Sequence, residues 1–335
     1  MESVFQSLNG SGKGRDRRIG KKASAMIKIK TGLLFLSVLL CFLQLNIKAA
    51  GKEGYEITDI RIYKDTPAWE LALAVKNQDA RGIERIAKNE PDLLNYQDPK
   101  YGATLLLWAV GTERYKAAEA LLKCGADPDI ASTDNTEWGG DTPLLVAAGF
   151  PWVDRSAKKD PKYVELLLRY GADPNKVYTG FNIPEADSVT EPGTSPLMQS
   201  IGCGIEKTKA LVEAGADINY KTKSGDTAAM IALRFKWVPE YAYYLIVEKK
   251  AKVNEPSYRR KSYFNEDPNE KFYPVDILRN WVYDLGSKEH QIKMEIVAEF
   301  SRQGVNYWDT KINQFTLEHI KKRYPDTWEE YIKKY

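Results

Sequence analysis

Gly125-Ala-Asp-Pro-Asp129 is followed along the chain by two near copies, Gly171-Ala-Asp-Pro-Asn175 and Gly215-Ala-Asp-Ile-Asn219. Each copy comes directly after an apolar run that is typical of a helix. Glycine adopts the left-handed conformation that ends a helix, and the following Asp and Asn suit a tight turn. Two degenerate copies, Lys250-Ala-Lys-Val-Asn254 and Gly304-Val305-Asn306, follow similar runs. Such recurrence predicts a repeat architecture.

A second element precedes the glycine turns, as Gly102-Ala-Thr-Leu-Leu106, Gly140-Asp-Thr-Pro-Leu144, Gly193-Thr-Ser-Pro-Leu197 and Gly225-Asp-Thr-Ala-Ala229. Its Thr or Ser can cap a helix, and proline at the first helical position sacrifices no hydrogen bond. Together the two elements resemble the ankyrin repeat, whose signature is T-P-L-H-x-A followed by L-L-x-x-G-A-D-x-N. The residues that carry the repeat scaffold are Thr104, Gly125, Thr142, Pro143, Gly171, Pro196, Gly215 and Thr227.

The resemblance implies an all-α ankyrin-repeat solenoid of about six helix-turn-helix repeats. The array is predicted over residues 66–307, after a leader (1–50) and a linker (51–65), and a helical cap is predicted over 308–335. Gly125 and Gly171 are 46 residues apart, whereas a standard repeat has about 33. Irregular insertions are therefore expected, both within the third repeat and in the finger loops that join repeats.

The sequence departs from the family signature in two respects. Leu107, Leu145, Met198 and Met230 stand where the signature has histidine, so apolar packing must replace the usual Thr–His hydrogen bonds. Lys250 stands where glycine is preferred, which costs about 1 kcal/mol if the residue is left-handed. The fifth turn is therefore expected to end differently from the others.

The N-terminal segment has the features of an export signal. Residues 1–50 hold nine Lys/Arg and two acidic residues, which leaves 40 basic and 44 acidic residues in the remainder, a net charge of −4. A basic segment that begins at Met26, an alternative start of the chain, precedes the uncharged run LLFLSVLLCFL (33–43), and Ala49 and Ala50 offer a cleavage site. The protein is therefore predicted to reach the periplasm, the envelope or the exterior. The alternative is an uncleaved membrane anchor, with the leader as the only membrane contact.

The sequence offers little catalytic chemistry. His290 and His319 are the only histidines, and neither has Cys or His at metal-ligand spacing. Phosphate-binding loops and hydrolase motifs are absent from the sequence, and the acidic body argues against nucleic acid as a partner. Gly202-Cys203-Gly204 is interpreted as a helix–helix turn, with a thiol nucleophile as the less favoured alternative. We therefore predict no catalytic residue, metal or cofactor.

Aromatic side chains in the insertions are candidate contacts for a partner protein, because aromatic residues are favoured interface anchors. The alternative is that they fold back onto the stack. A short basic cluster in the last finger loop is a further candidate. The candidate residues are Trp138, Trp152, Tyr178, Phe181, Tyr258, Arg259, Arg260 and Tyr263.

The resemblance implies a non-enzymatic protein–protein interaction scaffold that binds through its finger loops and its concave helix face. Combined with the leader, it predicts an exported scaffold. The principal alternative is an inhibitor or immunity-type protein dedicated to one enzyme or toxin. A hydrolase hidden in the insertions and a purely structural envelope protein are further alternatives.

Overall fold

The computed structural model describes residues 55–133, 139–153, 159–180, 191–258 and 271–335. The predicted leader and residues 51–54 lie outside the described residues. Within the described residues, six helix pairs succeed one another, each made of a first and a second helix. In chain order they are α1 (Trp69–Lys76) and α2 (Ala80–Asn89), α3 (Leu105–Gly111) and α4 (Tyr115–Lys123), α5 (Pro143–Ala148) and α6 (Lys162–Arg169), α7 (Pro196–Ser200) and α8 (Ile205–Glu213), α9 (Ala228–Arg234) and α10 (Glu240–Ala242), and α11 (Pro274–Leu278) and α12 (Lys288–Arg302).

Four of the first helices begin at the predicted capping residue. The side-chain oxygens of Thr104, Thr142, Ser195 and Thr227 each accept a hydrogen bond from the backbone N–H three residues later, at 3.1–3.3 Å. Such a bond satisfies one of the N–H groups that a helix start leaves unpaired. Pro143 and Pro196 occupy the first helical position. These starts are therefore encoded locally.

The second helices of the central pairs end at the predicted glycines. Gly125, Gly171 and Gly215 have φ angles of 95°, 89° and 93°, which a residue with a Cβ atom rarely adopts. The N–H after each glycine donates to the carbonyl five residues earlier, as in Ala126 to Leu121 at 3.0 Å. This is the glycine-terminated helix end that the sequence predicts.

The fifth turn does end differently. Lys250 is left-handed, with φ of 60°. Helix α10 continues as a π-helical segment, Tyr243–Glu248, and the Ala251 N–H donates to the Leu245 carbonyl six residues earlier, at 2.9 Å. One extra residue is therefore accommodated in this helix, as a π-bulge allows.

The pairs stack in two layers. Each first helix packs against the first helix of the next pair, and most second helices pack in the same way. Leu107, Leu145, Met198 and Met230, which replace the signature histidine, are all buried. Apolar packing therefore occupies these positions, as expected.

A ladder of side-chain acceptors also connects the turns of successive pairs. In each step, an Asn or Asp side chain accepts a hydrogen bond from a backbone N–H of the next turn. The steps are Asn95 from Asp127 (2.9 Å), Asp129 from Asp173 (3.0 Å), Asn175 from Asp217 (2.7 Å) and Asn219 from Lys252 (2.8 Å). A net contribution of about 1 kcal/mol for each bond is typical.

The two ends of the described chain are packed. A 3-10 helix, Ile60–Tyr63, buries its apolar side chains, and the Tyr63 hydroxyl donates to the Ala103 carbonyl at 2.8 Å. This corrects the expectation of a linker at these positions, because the segment forms part of the core. Two helices follow the sixth pair, α13 (Gln314–Arg323) and α14 (Trp328–Ile332).

The C-terminal segment encloses a buried lysine. Lys293 of α12 is fully buried, its Nζ donates to the Trp281 carbonyl at 2.7 Å, and it lies 3.9 Å from the centre of the Tyr335 ring. Burial lowers the pKa of Lys293 to about 6. Tyr331 of the last helix and Tyr335, the last residue of the printed sequence, are both buried beside this lysine.

One feature departs from the all-α prediction. Two short strands, β1 (Ser257–Tyr258) and β2 (Lys271–Phe272), pair antiparallel in the last finger loop, with Ser257 opposite Phe272. The pairing closes the base of a long insertion without disturbing the helices. Among the described residues, no helix combines the length and apolar character needed to cross a membrane.

Candidate protein-binding surface

Four finger loops, which precede α3, α5, α7 and α9, close on the same backbone frame. In each, the first residue donates its N–H to the carbonyl of the last, and a glycine with positive φ donates back to the first. The first and last residues are Asp98 and Ala103, Ser132 and Asp141, Tyr178 and Thr194, and Thr222 and Asp226, at 2.9–3.0 Å. We call these loops fingers one to four. Insertions lengthen fingers two and three without changing where the loops close.

Neighbouring fingers are also bonded to one another. Gln97, beside finger one, donates to the Ala131 carbonyl at 2.9 Å, and the Thr179 N–H of finger three donates to the Gly140 carbonyl of finger two at 3.3 Å. The Ser224 hydroxyl of finger four donates to the Glu191 carboxylate of finger three at 2.6 Å. The fingers therefore form one continuous edge of the stack.

The last residue of each finger occupies an equivalent place, directly before the capping Thr or Ser. Asp226 is buried there and receives both terminal nitrogens of the Arg234 guanidinium, at 2.7 and 3.0 Å. Asp141 is half-buried and has no hydrogen-bond or ion-pair partner for its carboxyl group among the described residues. Burial raises the pKa of Asp141 to about 7.

Asp226 and Asp141 differ in their partners because of the residue that lies seven positions after the capping Thr of each pair. Arg234 occupies this position in the fifth pair, whereas glycine occupies it in the three preceding pairs, as Gly111, Gly149 and Gly202. A Cβ atom at each glycine would overlap a side chain from the following pair, which is Trp152, Gln199 and Phe235 respectively. Close packing between pairs thus requires glycine here and leaves no room for an arginine over Asp141.

The family model of the ankyrin repeat matches residues 101–133 and 139–178, which contain the second and third pairs and their fingers. These two segments, which make up less than half of the chain, are ankyrin repeats. Ankyrin repeats typically form interaction modules without catalytic activity, and they imply a protein partner.

One curated relative is Protein PhlB of Serratia liquefaciens, which is 32% identical over 165 residues. That alignment covers 49% of this chain and 61% of PhlB. The chain thus spans less than two thirds of the relative's length.

Two of the aromatic residues predicted to contact a partner belong instead to the packing of the ankyrin stack. The Tyr178 side chain is only 7% exposed, and burial, with a contribution from the Asp141 charge, raises its pKa to about 12. The Trp152 ring is half-buried over Gly111, and the backbone N–H of Trp152 donates to the Gly111 carbonyl at 2.9 Å. This corrects their assignment as surface contacts, and the fold-back alternative describes them.

Tyr258 lies in β1 and is 42% exposed, so it is available to a partner. The other predicted contacts, Trp138, Phe181, Arg259, Arg260 and Tyr263, lie outside the described residues. Trp237, which is 70% exposed, and Phe150, which is 44% exposed, are further candidate contacts that were not predicted from the sequence. Both lie in turns between a first and a second helix. An aromatic residue in such a turn is the sequence feature that could have identified them as exposed.

A surface depression of about 390 Å³ lies near the first two pairs and is lined in part by Asp59, Lys76, Trp108 and Arg114. The indole Nε1 of Trp108 and the Nε of Arg114 are buried there, and the described residues offer neither of them a hydrogen-bond acceptor. An unsatisfied buried donor costs about 1–3 kcal/mol. The depression is polar and open, unlike an apolar cofactor pocket.

Neither of the two cysteines in the described residues is an activated nucleophile, because burial raises the pKa of both thiols. Cys203 lies in the turn between α7 and α8, and burial raises the pKa of its thiol to about 11. A nucleophilic cysteine requires a lowered pKa. Cys124 and Cys203 are both unpaired, and no cluster of three metal-ligating side chains occurs in the described ranges.

Proposed function

We propose that the six helix pairs form one ankyrin array, capped by α13 and α14, and that the array binds a partner protein through its finger edge and the neighbouring first helices. The observation that carries this proposal is the constant frame of the four fingers. The frame presents a different last residue in each finger, namely Ala103, Asp141, Thr194 and Asp226. Variable side chains on a constant frame suit recognition of an extended partner surface.

The continuity of the array is supported by hydrogen bonds between successive pairs along its length. The acceptor ladder runs from Asn95 to the turn at Lys252, and Val253 then donates its N–H to the Gln303 side chain of the sixth pair at 3.1 Å. At the cap, the Tyr307 hydroxyl donates to the Tyr335 carbonyl at 2.9 Å. Every pair is thus bonded to a neighbour.

Site-specific photo-crosslinking tests the proposed surface. A photoreactive phenylalanine analogue placed at Tyr258, on the finger edge, is expected to give a discrete adduct in native extract. The control is the same analogue at Lys123, whose side chain is 52% exposed on second helix α4. Equal adducts at both positions, or none at Tyr258, would contradict the proposal.

Export is part of the proposal and is supported by the leader sequence. Mass spectrometry of the mature N-terminus is expected to find a start near Gly51 in an exported fraction. An intact leader in the membrane fraction would favour the anchored alternative, and an intact leader in the cytoplasm would contradict export.

The adduct also separates a general scaffold from a dedicated inhibitor. If the crosslinked protein is a single enzyme or toxin whose activity is lost at a one-to-one ratio, the narrower inhibitor or immunity role is supported. Several unrelated adducts would favour the scaffold.

A further inference from the structure

The polar depression near the first two helix pairs has features of a binding site. Its volume is about 390 Å³, and every residue that lines it belongs to the described part of the chain. Lys76 ends first helix α1, Trp108 lies in first helix α3, and Arg114 directly precedes α4. The depression therefore opens beside the first helices, which belong to the surface proposed to bind a partner.

Two hydrogen-bond donors in this depression receive no acceptor from the described residues. They are the indole Nε1 of Trp108, whose side chain is only 2% exposed, and the Nε of Arg114. Most buried polar side-chain atoms of folded proteins are hydrogen-bonded, and leaving one unsatisfied costs free energy. A ligand that brings an acceptor to this place would recover that cost.

Trp281 shows how the same chain satisfies a buried indole. Trp281 is 1% exposed, and its Nε1 donates to the Leu233 carbonyl at 2.8 Å. Trp281 and Trp108 are thus buried to the same extent, but only Trp281 has an acceptor among the described residues. The difference lies in their surroundings, because the Trp108 ring lines the depression and the Trp281 ring packs between helix pairs.

The charges that line the depression favour an anion. Lys76 is exposed, and the Arg114 guanidinium has no hydrogen bond or ion pair with the described residues. Two acids also line the depression. Asp59 is already bound by Arg61, whose Nε donates to its carboxylate at 2.9 Å, and Glu56 is exposed. Two cations therefore face one uncompensated carboxylate, which leaves a net positive charge.

We propose that this depression binds an Asp or Glu side chain of the partner protein. Its carboxylate accepts hydrogen bonds from the Arg114 guanidinium and the Trp108 indole N–H, with Lys76 beside them. Bonds between a guanidinium and a carboxylate are stronger than neutral hydrogen bonds. The Arg114 side chain shifts on binding, because the two unsatisfied atoms have almost no solvent contact in the free chain. The inference rests on the proposed function and names the group that the partner contributes.

The test uses the full chain, labelled with nitrogen-15, and a defined probe. A peptide of five Gly-Asp repeats is added at low salt, and the indole N–H signals are followed by NMR. The Trp108 signal is assigned from its loss in Trp108→Phe. We expect this signal to shift saturably because the N–H gains an acceptor, and binding to weaken at physiological salt because charges are screened. A peptide of five Gly-Asn repeats is expected to leave the signal in place.

Two matched variants locate the site. Arg114→Gln removes the guanidinium and is expected to weaken binding of the aspartate peptide about tenfold, the loss of one charge-assisted interaction. Arg85→Gln removes an exposed arginine of second helix α2 that does not line the depression, so binding is expected to change less than about twofold. Circular dichroism melting checks that both variants are folded.

Equal weakening by both variants would show diffuse charge attraction and would overturn the proposal, as would a Trp108 signal that the aspartate peptide does not move. Free succinate is the second probe. If succinate moved the signal as strongly as the peptide at equal carboxylate concentration, the site would take a small-molecule anion and the assignment to a partner side chain would be wrong.

The crosslink at Tyr258 lies outside the depression and reports on the proposed function independently. If that adduct forms while the Trp108 signal stays in place, the interaction function stands and the acidic contact at the depression is excluded.

Discussion

The third and fifth helix pairs carry the same acid on the same backbone frame, yet they use it differently. In the fifth pair, Asp226 is covered by Arg234, and the charge contributes to the fold. In the third pair, Gly149 allows the Gln199 side chain of the next pair to approach, and the described residues supply no cation for Asp141. The comparison teaches that the same position in a repeat can hold an acid that is paired within its own helix pair or an acid for which the described residues supply no partner.

Removal of the internal cation should have the largest effect. Arg234→Ala leaves Asp226 buried without its guanidinium, and because Arg234 is 43% exposed we expect a loss of about 2 kcal/mol in the free energy of unfolding. Urea denaturation measures it. In an Asp226→Asn background, the same change should cost much less, and an equal cost in both backgrounds would show that the ion pair is unimportant.

Asp141→Asn should change the free energy of unfolding in the opposite direction and stabilise the chain. The folded pKa of Asp141, about 7, lies above the ordinary pKa of an aspartate, 3.8. The folded state therefore holds an extra proton between about pH 4 and 7, and the wild-type chain loses stability as pH rises through this window. Because the group is half-buried, we expect the variant to gain about 1 kcal/mol at pH 8 and nothing at pH 4. Thermal melts at both pH values measure it.

The reference for this experiment is Asp226→Asn, which should destabilise the chain at pH 8 because it removes the partner of Arg234. If both aspartate variants shifted the melting temperature in the same direction at pH 8, the contrast between the third and fifth pairs would be wrong.

The residue at the turn that ends the second helix can be exchanged between the fifth pair, which has Lys250, and the third pair, which has Gly171. Lys250→Gly removes left-handed strain worth about 1 kcal/mol, but it also removes a partly buried ion pair to Glu299, which Arg302 also contacts, so the net gain should be below about 0.5 kcal/mol. Gly171→Lys, at the equivalent turn of the third pair, should cost about 1 kcal/mol. Urea midpoints measure both, and a loss from Lys250→Gly would show that the π-helical turn requires lysine.

The smallest effect is expected in the acceptor ladder. Burial is the main reason that the pKa of Asp129 is raised, and the charge of Asp127 adds to it, while the hydrogen bond from the Asp173 N–H opposes it. Asparagine fills the equivalent positions at Asn175 and Asn219. Asp129→Asn keeps the acceptor for the Asp173 N–H and should stabilise the chain by a few tenths of a kcal/mol at pH 7, with the gain lost at low pH. Asn175→Asp is the reverse control and should destabilise.

Much of the fold could be predicted because it is encoded locally. A capping Thr and the N–H it binds are three residues apart, and a terminal glycine acts on the turn that contains it. The two-residue strands β1 and β2, in the loop after the fifth pair, were missed because the Ser257–Phe272 pairing joins positions on either side of a long insertion. The burial of Ile60–Tyr63 was missed because it depends on contacts with residues distant in sequence, such as Ala103 of finger one.

The candidate surface was less predictable. Tyr178 and Trp152 share with Tyr258 the sequence feature that selected them, since all three are aromatic residues in insertions. Only their neighbours distinguish them: Trp152 covers a glycine of the preceding pair, and Tyr178 lies at the closed base of its finger. Composition therefore located the loops but not their exposed side chains.

The sequence by itself determined the caps, the glycine turns, the resemblance to the ankyrin repeat and the charge of the long fingers, because these properties reside in residues a few positions apart. The tertiary structure decided which aspartate is paired and which receives no partner from the described residues. That outcome depends on the space above each carboxylate, which Arg234 fills from the same helix and which Gln199 narrows from the next pair. Packing between repeats thus determines which charges are paired within the chain.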